Sequence, residues 1–516
     1  MNLYDLIKER IKNYSNIEYL ENNPYDERIT YITDEEEIKR NKIKEYRLWY
    51  AGDGDELLNF YTNKQIWGNA KEPIFNRNKS NYFWGISSLE SDIKRVHSSI
   101  PNIIISTLIN TIGQPNLTSK DEKSLDILRE IIDKNKFYSI IKHKQLPLTL
   151  VDGWGAYKIN FDKTFSNNPI IQYYEAENVD FIYKNNVLIG IIYKDYYRYK
   201  NKNYVLIETR RINNEGSIIE YELFKLEENN EVIKADLGVI PELKNKKALI
   251  IKGYYKVLGV PCKFYYDSMN KNYGRSVYTG KIDLFDDLDQ ILSQASQTVR
   301  VSTPIEYFPI DLLERDAEGN PKMPKVYNRQ YIAKQGQPNG DGNMDEKIQT
   351  TQPNLNLEKY SNEAKSKLDL ILAGILSPST IGMDLKKNDN AEAQREKEKT
   401  TINTRNNIIE EETIILKELF NLLLMIQEYI DTGKITQYEY NIGIKFNEFA
   451  NPSFENEINV LGKAWSDGQL STKQYVELLW GNKLSLQEKE EEISWLDRNR
   501  DKDNLNILEL ENYENR

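Results

Sequence analysis

The chain has 516 residues, 39% hydrophobic and 29% charged, more than one hydrophobic core usually serves, so about three lobes are expected at roughly 150 residues per domain. A net charge of -11 and a pI near 5.2 exclude a surface that grips nucleic acid all over, because tight phosphate binding takes clustered Lys and Arg; any DNA contact is expected to be local or loose. The single cysteine, Cys262, excludes an internal disulfide and a cysteine metal cluster and reads as a small buried residue, and no stretch has the basic start or the ~20 apolar residues of an export signal or membrane span.

In chain order, residues 3 to 20 read as an amphipathic helix with Leu3, Leu6, Ile7, Ile11 and Tyr14 on one side. A second helix is expected from Thr33-Asp34-Glu35-Glu36, an N-cap with acidic first-turn residues, to a stop at Gly52, with Trp49 and Tyr50 filling a core or a subunit contact. Another starts near Asp55. Asp53-Gly54-Asp55-Glu56 looks like the start of a calcium loop, but Leu57 stands at the next ligand position and no glutamate closes the pattern. Apolar positions from Ile93 to Leu108 predict a helix over Ser91 to Ile112, kinked at Pro101 and followed by a loop at Gly113-Gln114-Pro115-Asn116. Leu125 to Leu150 adds two helices. Then Val151 to Ile159 switches the period, and the runs Ile170 to Tyr174, Phe181 to Tyr183, Val187 to Tyr193, Tyr204 to Arg211, Ile218 to Lys225 and Ala248 to Val257 predict antiparallel sheet over residues 155 to 268.

Between Arg275 and Asp384 two amphipathic helices flank an insert that cannot be helical. In the first, Ile282, Phe285, Leu288, Ile291, Leu292, Ala295 and Val299 recur every three or four residues, leaving Asp286, Asp287, Asp289 and Gln290 on the other face. Leu357, Tyr360, Ala364, Leu368, Ile371, Leu372 and Ile375 repeat the pattern, and Pro378 ends it. Prolines and glycines bound strand-sized runs at Ile305 to Ile310, Val326 to Ala333 and Lys347 to Thr351. The expectation is a small β-rich lobe on a helical stalk, with the polar Gly336 to Gly342 stretch leaving the strand pairing open. After a polar loop, Leu385 to Asn390, one helix of about 40 residues runs from Ala391 to Gly433 and lacks an apolar stripe before Ile408. A strand at Asn441 to Phe449 follows, then two or three helices with a corner at Trp465 to Ser471, and residues 501 to 516 read as frayed.

The chain shows no catalytic signature. His97 and His143 are the only histidines, each in a helical run, and neither a phosphate loop nor a zincin pattern occurs. Gly153-Trp154-Gly155 is a lone G-x-G that reads as a tight turn into the sheet. The runs Glu410 to Glu412 and Glu490 to Glu492 spread around their helix axes rather than converging on a metal. No cofactor or metal is expected, and the chain reads as no enzyme.

The order of parts resembles the portal proteins of tailed bacteriophages, particularly those of long-tailed phages of Gram-positive hosts. The stretches that carry it are Leu48-Trp49-Tyr50-Ala51-Gly52, Leu150 to Tyr157, Glu177 to Tyr183, Gly274-Arg275-Ser276 and Gly468-Gln469-Leu470-Ser471. The resemblance implies an α+β portal-like fold. Residues 1–274 would be the wing, 275–303 and 355–376 the two stem helices, 304–354 the clip, and 377–390 the tunnel loop; 391–451 would be a long helix and strand, and 452–516 the crown and tail. It further implies a ring, usually a dodecamer, at one capsid vertex, passing double-stranded DNA and meeting the terminase large subunit, a head-tail adaptor, and major capsid and scaffold proteins. The place would be the virion, and the host cytoplasm during assembly, with no membrane partner. Met383, Lys386, Lys387, Asn388 and Asn390 would line the channel; Phe285, Leu288, Leu292, Leu368 and Leu372 would make stem contacts between subunits; Tyr307, Arg315, Tyr327, Arg329 and Tyr331 would meet terminase or adaptor. One-sided helical stripes in a chain without a catalytic set suit a ring, where each subunit offers one face to the next, and an acidic chain suits a channel in which a duplex must slide. Another non-catalytic virion or scaffold protein, or a nucleic-acid-processing enzyme, are the competing classes.

Overall fold

The computed structural model describes residues 35–62, 82–85, 93–161, 166–227, 232–267, 272–302, 304–310, 313–322, 330–334, 348–351, 356–383, 398–437, 439–446, 454–480 and 488–498. The helix expected over residues 3 to 20 and the tail from 501 lie outside them. Helices α1 (Glu35–Ala51), α2 (Gly54–Thr62) and α3 (Ile100–Ile112) lead to β1 (Pro115–Ser119) and α4 (Glu122–Lys134). A helical run then comprises α5 (Phe137–Ile140), a π turn at Ile141–Gln145, and α6 (Leu146–Asp152). Strands follow: β2 (Gly155–Asn160), β3 (Ile170–Glu175), β4 (Val179–Lys184), β5 (Val187–Tyr199), β6 (Lys202–Ile212), β7 (Gly216–Leu226), β8 (Val232–Ala235), β9 (Leu249–Lys252) and β10 (Gly259–Cys262). Next come α7 (Ile282–Val301), β11 (Ile305–Pro309), β12 (Gln330–Lys334), β13 (Gln349–Thr351) and α8 (Leu357–Leu372), then α9 (Lys399–Thr432), β14 (Ile442–Phe446), α10 (Phe454–Ser466) and α11 (Thr472–Trp480). Residues 488–498 form a last described helix. The class is α+β, in two compact units, Met1–Thr107 with Ser139–Ile381, and Leu108–Tyr138 with Gly382–Arg516.

In the first unit, α1 stops at Gly52, whose φ of 72° a glycine adopts without strain. The calcium-like run is a helix cap: Asp53 Oδ1 accepts from the N–H groups of Asp55 and Glu56 at 3.0 and 3.2 Å. Pro101 does not kink a long helix, as the sequence reading had it. Helix α3 begins at Ile100, so the proline sits in the first turn, where its missing N–H costs nothing, and residues 93–99 are not helical.

The strands are antiparallel as expected but divide into two sheets. One has three strands in the order β10-β2-β3; the other has the order β4-β5-β6-β7-β8, with β9 also pairing β7. Alternation along β4 and β5 sends Phe181, Ile191 and Tyr193 into one core with Ala156 and Val257, and Ile182 and Ile192 into another with Val205, Ile207 and Phe224. Buried polar groups tie the two sheets. Lys158 Nζ of β2 lies 2.7 Å from Glu208 Oε2 of β6, and Arg210 donates to Glu208, to Ile159 O and to Leu258 O at 2.7, 2.8 and 2.7 Å. Burial pushes the Glu208 carboxyl up, but Arg210 and Lys158 more than offset this and hold it at about 2.

In the second unit β1 pairs antiparallel with β14, from Pro115↔Phe446 to Ser119↔Ile442, so part of the loop expected at 113 to 116 is strand. Helix α9 ends at Gly433, whose φ is 71°. Its early turns, read as lacking a core face, have one built from Thr401, Thr404 and Arg405. Arg405 Nε donates to Thr111 O at 2.7 Å, satisfying a carbonyl at the end of α3 that the helix itself leaves open. In the corner between α10 and α11, Trp465 stacks on Tyr475 at 5.3 Å and donates from Nε1 to Thr472 Oγ1 at 3.2 Å.

Candidate functional site

The arrangement with the most to offer function is the α7–α8 pair and the lobe between its helices. The pair is antiparallel. Thr298 Oγ1 reaches Tyr360 Oη at 3.3 Å, Lys367 Nζ donates to Asp287 Oδ2 at 2.6 Å, and Lys281 Nζ, just ahead of α7, donates to Leu370 O and Ala373 O at 2.7 and 3.1 Å. Lys281 thereby caps the C-terminal end of α8, where a cation meets the negative end of the helix dipole.

The start of α7 is locked from both sides. On its apolar face Phe285 packs 5.7 Å from Trp49 and 5.3 Å from Tyr278, ring centre to ring centre, and Leu288 is buried. The face expected to be polar is buried as well. Asp286 accepts from the N–H groups of Phe83 and Trp84 at 2.8 and 3.2 Å. Asp289 accepts from Trp84 Nε1 at 3.1 Å and from Ser98 N at 2.9 Å, and its Oδ2 lies 2.7 Å from His97 Nδ1. Ser293 Oγ takes the N–H of Val96 at 2.8 Å, and Tyr82 bonds Asp283. Positions 283, 286, 289 and 293 share one side of a 3.6-residue helix, so a row of acceptors receives the backbone N–H groups of Phe83, Trp84, Val96 and Ser98 and the side chains of Tyr82, Trp84 and His97. These acceptors are what the sequence reading missed: carboxylates at helical spacing look like a solvated face, and only the N–H groups that the facing segments leave open reveal otherwise. Burial pushes the Asp286 carboxyl up to about 6, with the two N–H groups offsetting part of the effect.

Of the residues named as stem contacts, Phe285, Leu288, Leu368 and Leu372 are buried by the chain's own atoms, and Leu292 is half-buried. The apolar side chains that the pair leaves exposed are Val299 (54%), Val301 (45%), Leu357 (40%) and Leu370 (52%). Val299 and Leu357 are the far-end members of the two stripes read from periodicity; the remaining members are buried or half-buried within the chain.

The lobe has the strand order β12-β11-β13, β11 pairing parallel with β12 and antiparallel with β13. Tyr307 lies half-buried on the central strand. Arg315 is exposed beside an isolated bridge to Pro321, and Tyr331 stands on the edge strand in register with Glu306. All of β13 is exposed. Tyr327, Arg329, Lys386, Lys387, Asn388 and Asn390 lie outside the described residues, and Met383, at their border, is exposed. Among the described residues no three His, Cys, Asp or Glu side chains are placed to hold a metal, and no helix is long and apolar enough to cross a membrane.

No protein-family model matches the chain, and no curated protein matches it at a significant level.

Proposed function

We propose that the chain is the portal protein of a tailed bacteriophage, the subunit of a ring at one capsid vertex through which DNA is packaged, held and ejected. The observation that carries the reading is the antiparallel α7–α8 pair with a three-stranded lobe inserted between its helices. A helix pair fixed at its base by Trp49, Asp286 and Asp289, exposing Val299, Val301 and Leu357 at its far end, suits a stem that meets its neighbours by heterologous contacts around a closed ring. Residues 275–303 and 355–376 are then the stem and 304–354 the clip, which would dock the terminase large subunit and later the head-tail adaptor. The long helix α9 and residues 452–516 complete the subunit as wing and crown, and Lys386 and Lys387 fall in the channel loop. The order of these parts along the chain supports the assignment, as does the acidity of a chain that must let a duplex slide.

The test is the assembly state. Purified full-length protein, alone and with its capsid assembly partners, is measured by light scattering and imaged in negative stain. Annular particles with a central channel are expected; monomers only, in both conditions, would remove the reading.

A further inference from the structure

On its β4 side the β5–β6 hairpin runs on past its sheet partner, while on the other side β6 stays paired with β7 as far as Asn203↔Leu226. Strand β4 pairs with β5 only between Val187 and Tyr193, whereas β5 and β6 stay paired out to Tyr199↔Lys202. The ribbon closes on Lys200-Asn201, both at positive φ, 48° and 59°, the two-residue geometry that matches the twist of a hairpin and keeps its end stiff.

From Tyr196 to Ile207 this end carries Arg198, Lys200 and Lys202 and no acidic residue, in a chain whose net charge is -11. None of the three meets a carboxylate among the described residues. Arg198 donates to Asn201 Oδ1 at 2.8 Å, and Lys200 Nζ sits 5.2 Å over the Tyr199 ring. Several other cations of the same sheet are matched: Lys194 with Asp180 at 3.0 Å, Arg211 with Glu220 at 2.9 Å and Lys234 with Glu222 at 2.8 Å. The nearest acid along the strand, Asp195, is engaged by Tyr174 Oη and Lys158 Nζ at 2.6 and 3.4 Å. Alternation turns Tyr197 and Tyr199 inward onto the cluster around Tyr204 and Leu206, while Tyr196, on the face of Arg198 and Asn203, stays 50% exposed.

We propose that this hairpin end, Tyr196 to Asn203, is a contact for the phosphate backbone of nucleic acid. Cations that meet no carboxylate among the described residues keep their charge for phosphates, and an exposed tyrosine offers a ring to sugar or base. Three contacts make the binding local and salt-sensitive, in keeping with an otherwise acidic chain. The contact is independent of ring formation, so its failure and that of the portal reading are told apart by separate measurements.

The full-length chain is titrated onto a short fluorescent DNA duplex, followed by anisotropy at several NaCl concentrations. With three phosphate contacts, affinity is expected to fall about 40-fold between about 50 and 200 mM salt. Arg198→Glu/Lys200→Glu/Lys202→Glu is expected to lose roughly tenfold or more at the low salt and to flatten the salt dependence, with an unchanged thermal melt because the three side chains are exposed. Tyr196→Ala, which keeps all three charges, should weaken binding a few-fold without changing the slope. Three results would overturn the proposal: no duplex binding by the wild type at low salt; a triple variant that binds with the same affinity and slope; or a triple variant that binds normally but shifts the oligomeric state in light scattering, which would make the hairpin a protein contact.

Discussion

Gly153 and Gly274 lie backbone against backbone. A Cβ on Gly274 would stand 2.0 Å from Gly153 O, and one on Gly153 would stand 2.9 Å from Arg275 C and Ser276 N. Around this crossing Val277 N donates to Leu150 O at 3.0 Å, and Trp154 meets Tyr273 edge to face at 5.1 Å. The end of α6 and the approach to α7 are therefore pinned to each other, which fixes where the helix pair leaves the sheets.

Gly274→Ala should cost at least about 3 kcal/mol, because its clash is with backbone that cannot turn aside. Gly253→Ala is the control. It carries the left-handed strain that Gly274 does not, with φ 74°, but has open space around it, so about 1 kcal/mol is expected. Urea denaturation of the two variants decides the matter: equal losses would mean that the close approach contributes nothing.

The motifs at this crossing were legible in the sequence, but their meeting was not. Gly153-Trp154-Gly155 reads as a turn into a strand, and that is its place: Gly153 ends α6 at φ 99° and Gly155 opens β2. Periodicity also located α7, α8 and the three strands of the lobe, since stripes and turn residues are local signals. Three things it could not supply. The division of residues 155 to 268 into two sheets depends on which strands pair, and all of them read alike. The buried face of Thr401, Thr404 and Arg405 carries no hydrophobic signal. The acceptor row of Asp286, Asp289 and Ser293 is invisible until the segment that donates to it is seen beside it.

Removing Asp289 tests that row. Asp289→Ala leaves the buried Trp84 Nε1 and Ser98 N without an acceptor, and each orphaned donor costs about 1–3 kcal/mol. A loss of roughly 2–5 kcal/mol in urea unfolding is expected. Lys367→Ala, which breaks a partly exposed ion pair with Asp287, should cost less than about 1 kcal/mol. A similar small loss for both would show that α7 does not hold residues 82–85 and 93–98.

The pH dependence of stability carries the sign of Asp286. Its carboxyl is raised from the ordinary 3.8 to about 6, first by burial, so the folded state holds a proton that the unfolded chain has released. The stabilisation is fully present below about pH 4 and is lost as pH rises through 6. Wild-type stability should therefore fall between pH 4.5 and 7 more steeply than that of Asp286→Asn, which has no proton to lose. Matching slopes in denaturation series across that range would place the carboxylate in water.

The division of the helix pair into a locked base and a free far end makes the sharpest test of a ring. Leu288→Asp places an unpaired carboxylate in the chain's own core, a cost of several kcal/mol, and the monomer should lose its cooperative melt. Val299→Asp and Leu357→Asp change side chains that are 54% and 40% exposed in the single chain, so each monomer should melt within about 0.5 kcal/mol of wild type. If neighbouring copies cover those positions, either charge is desolvated at every contact around a closed ring, and annular particles should disappear under conditions where the wild type forms them. Melting curves and negative-stain counts on the same preparations separate the two effects. Rings that persist in both variants would leave the far end of the pair in solvent, and the contact between copies would have to be sought elsewhere on the chain.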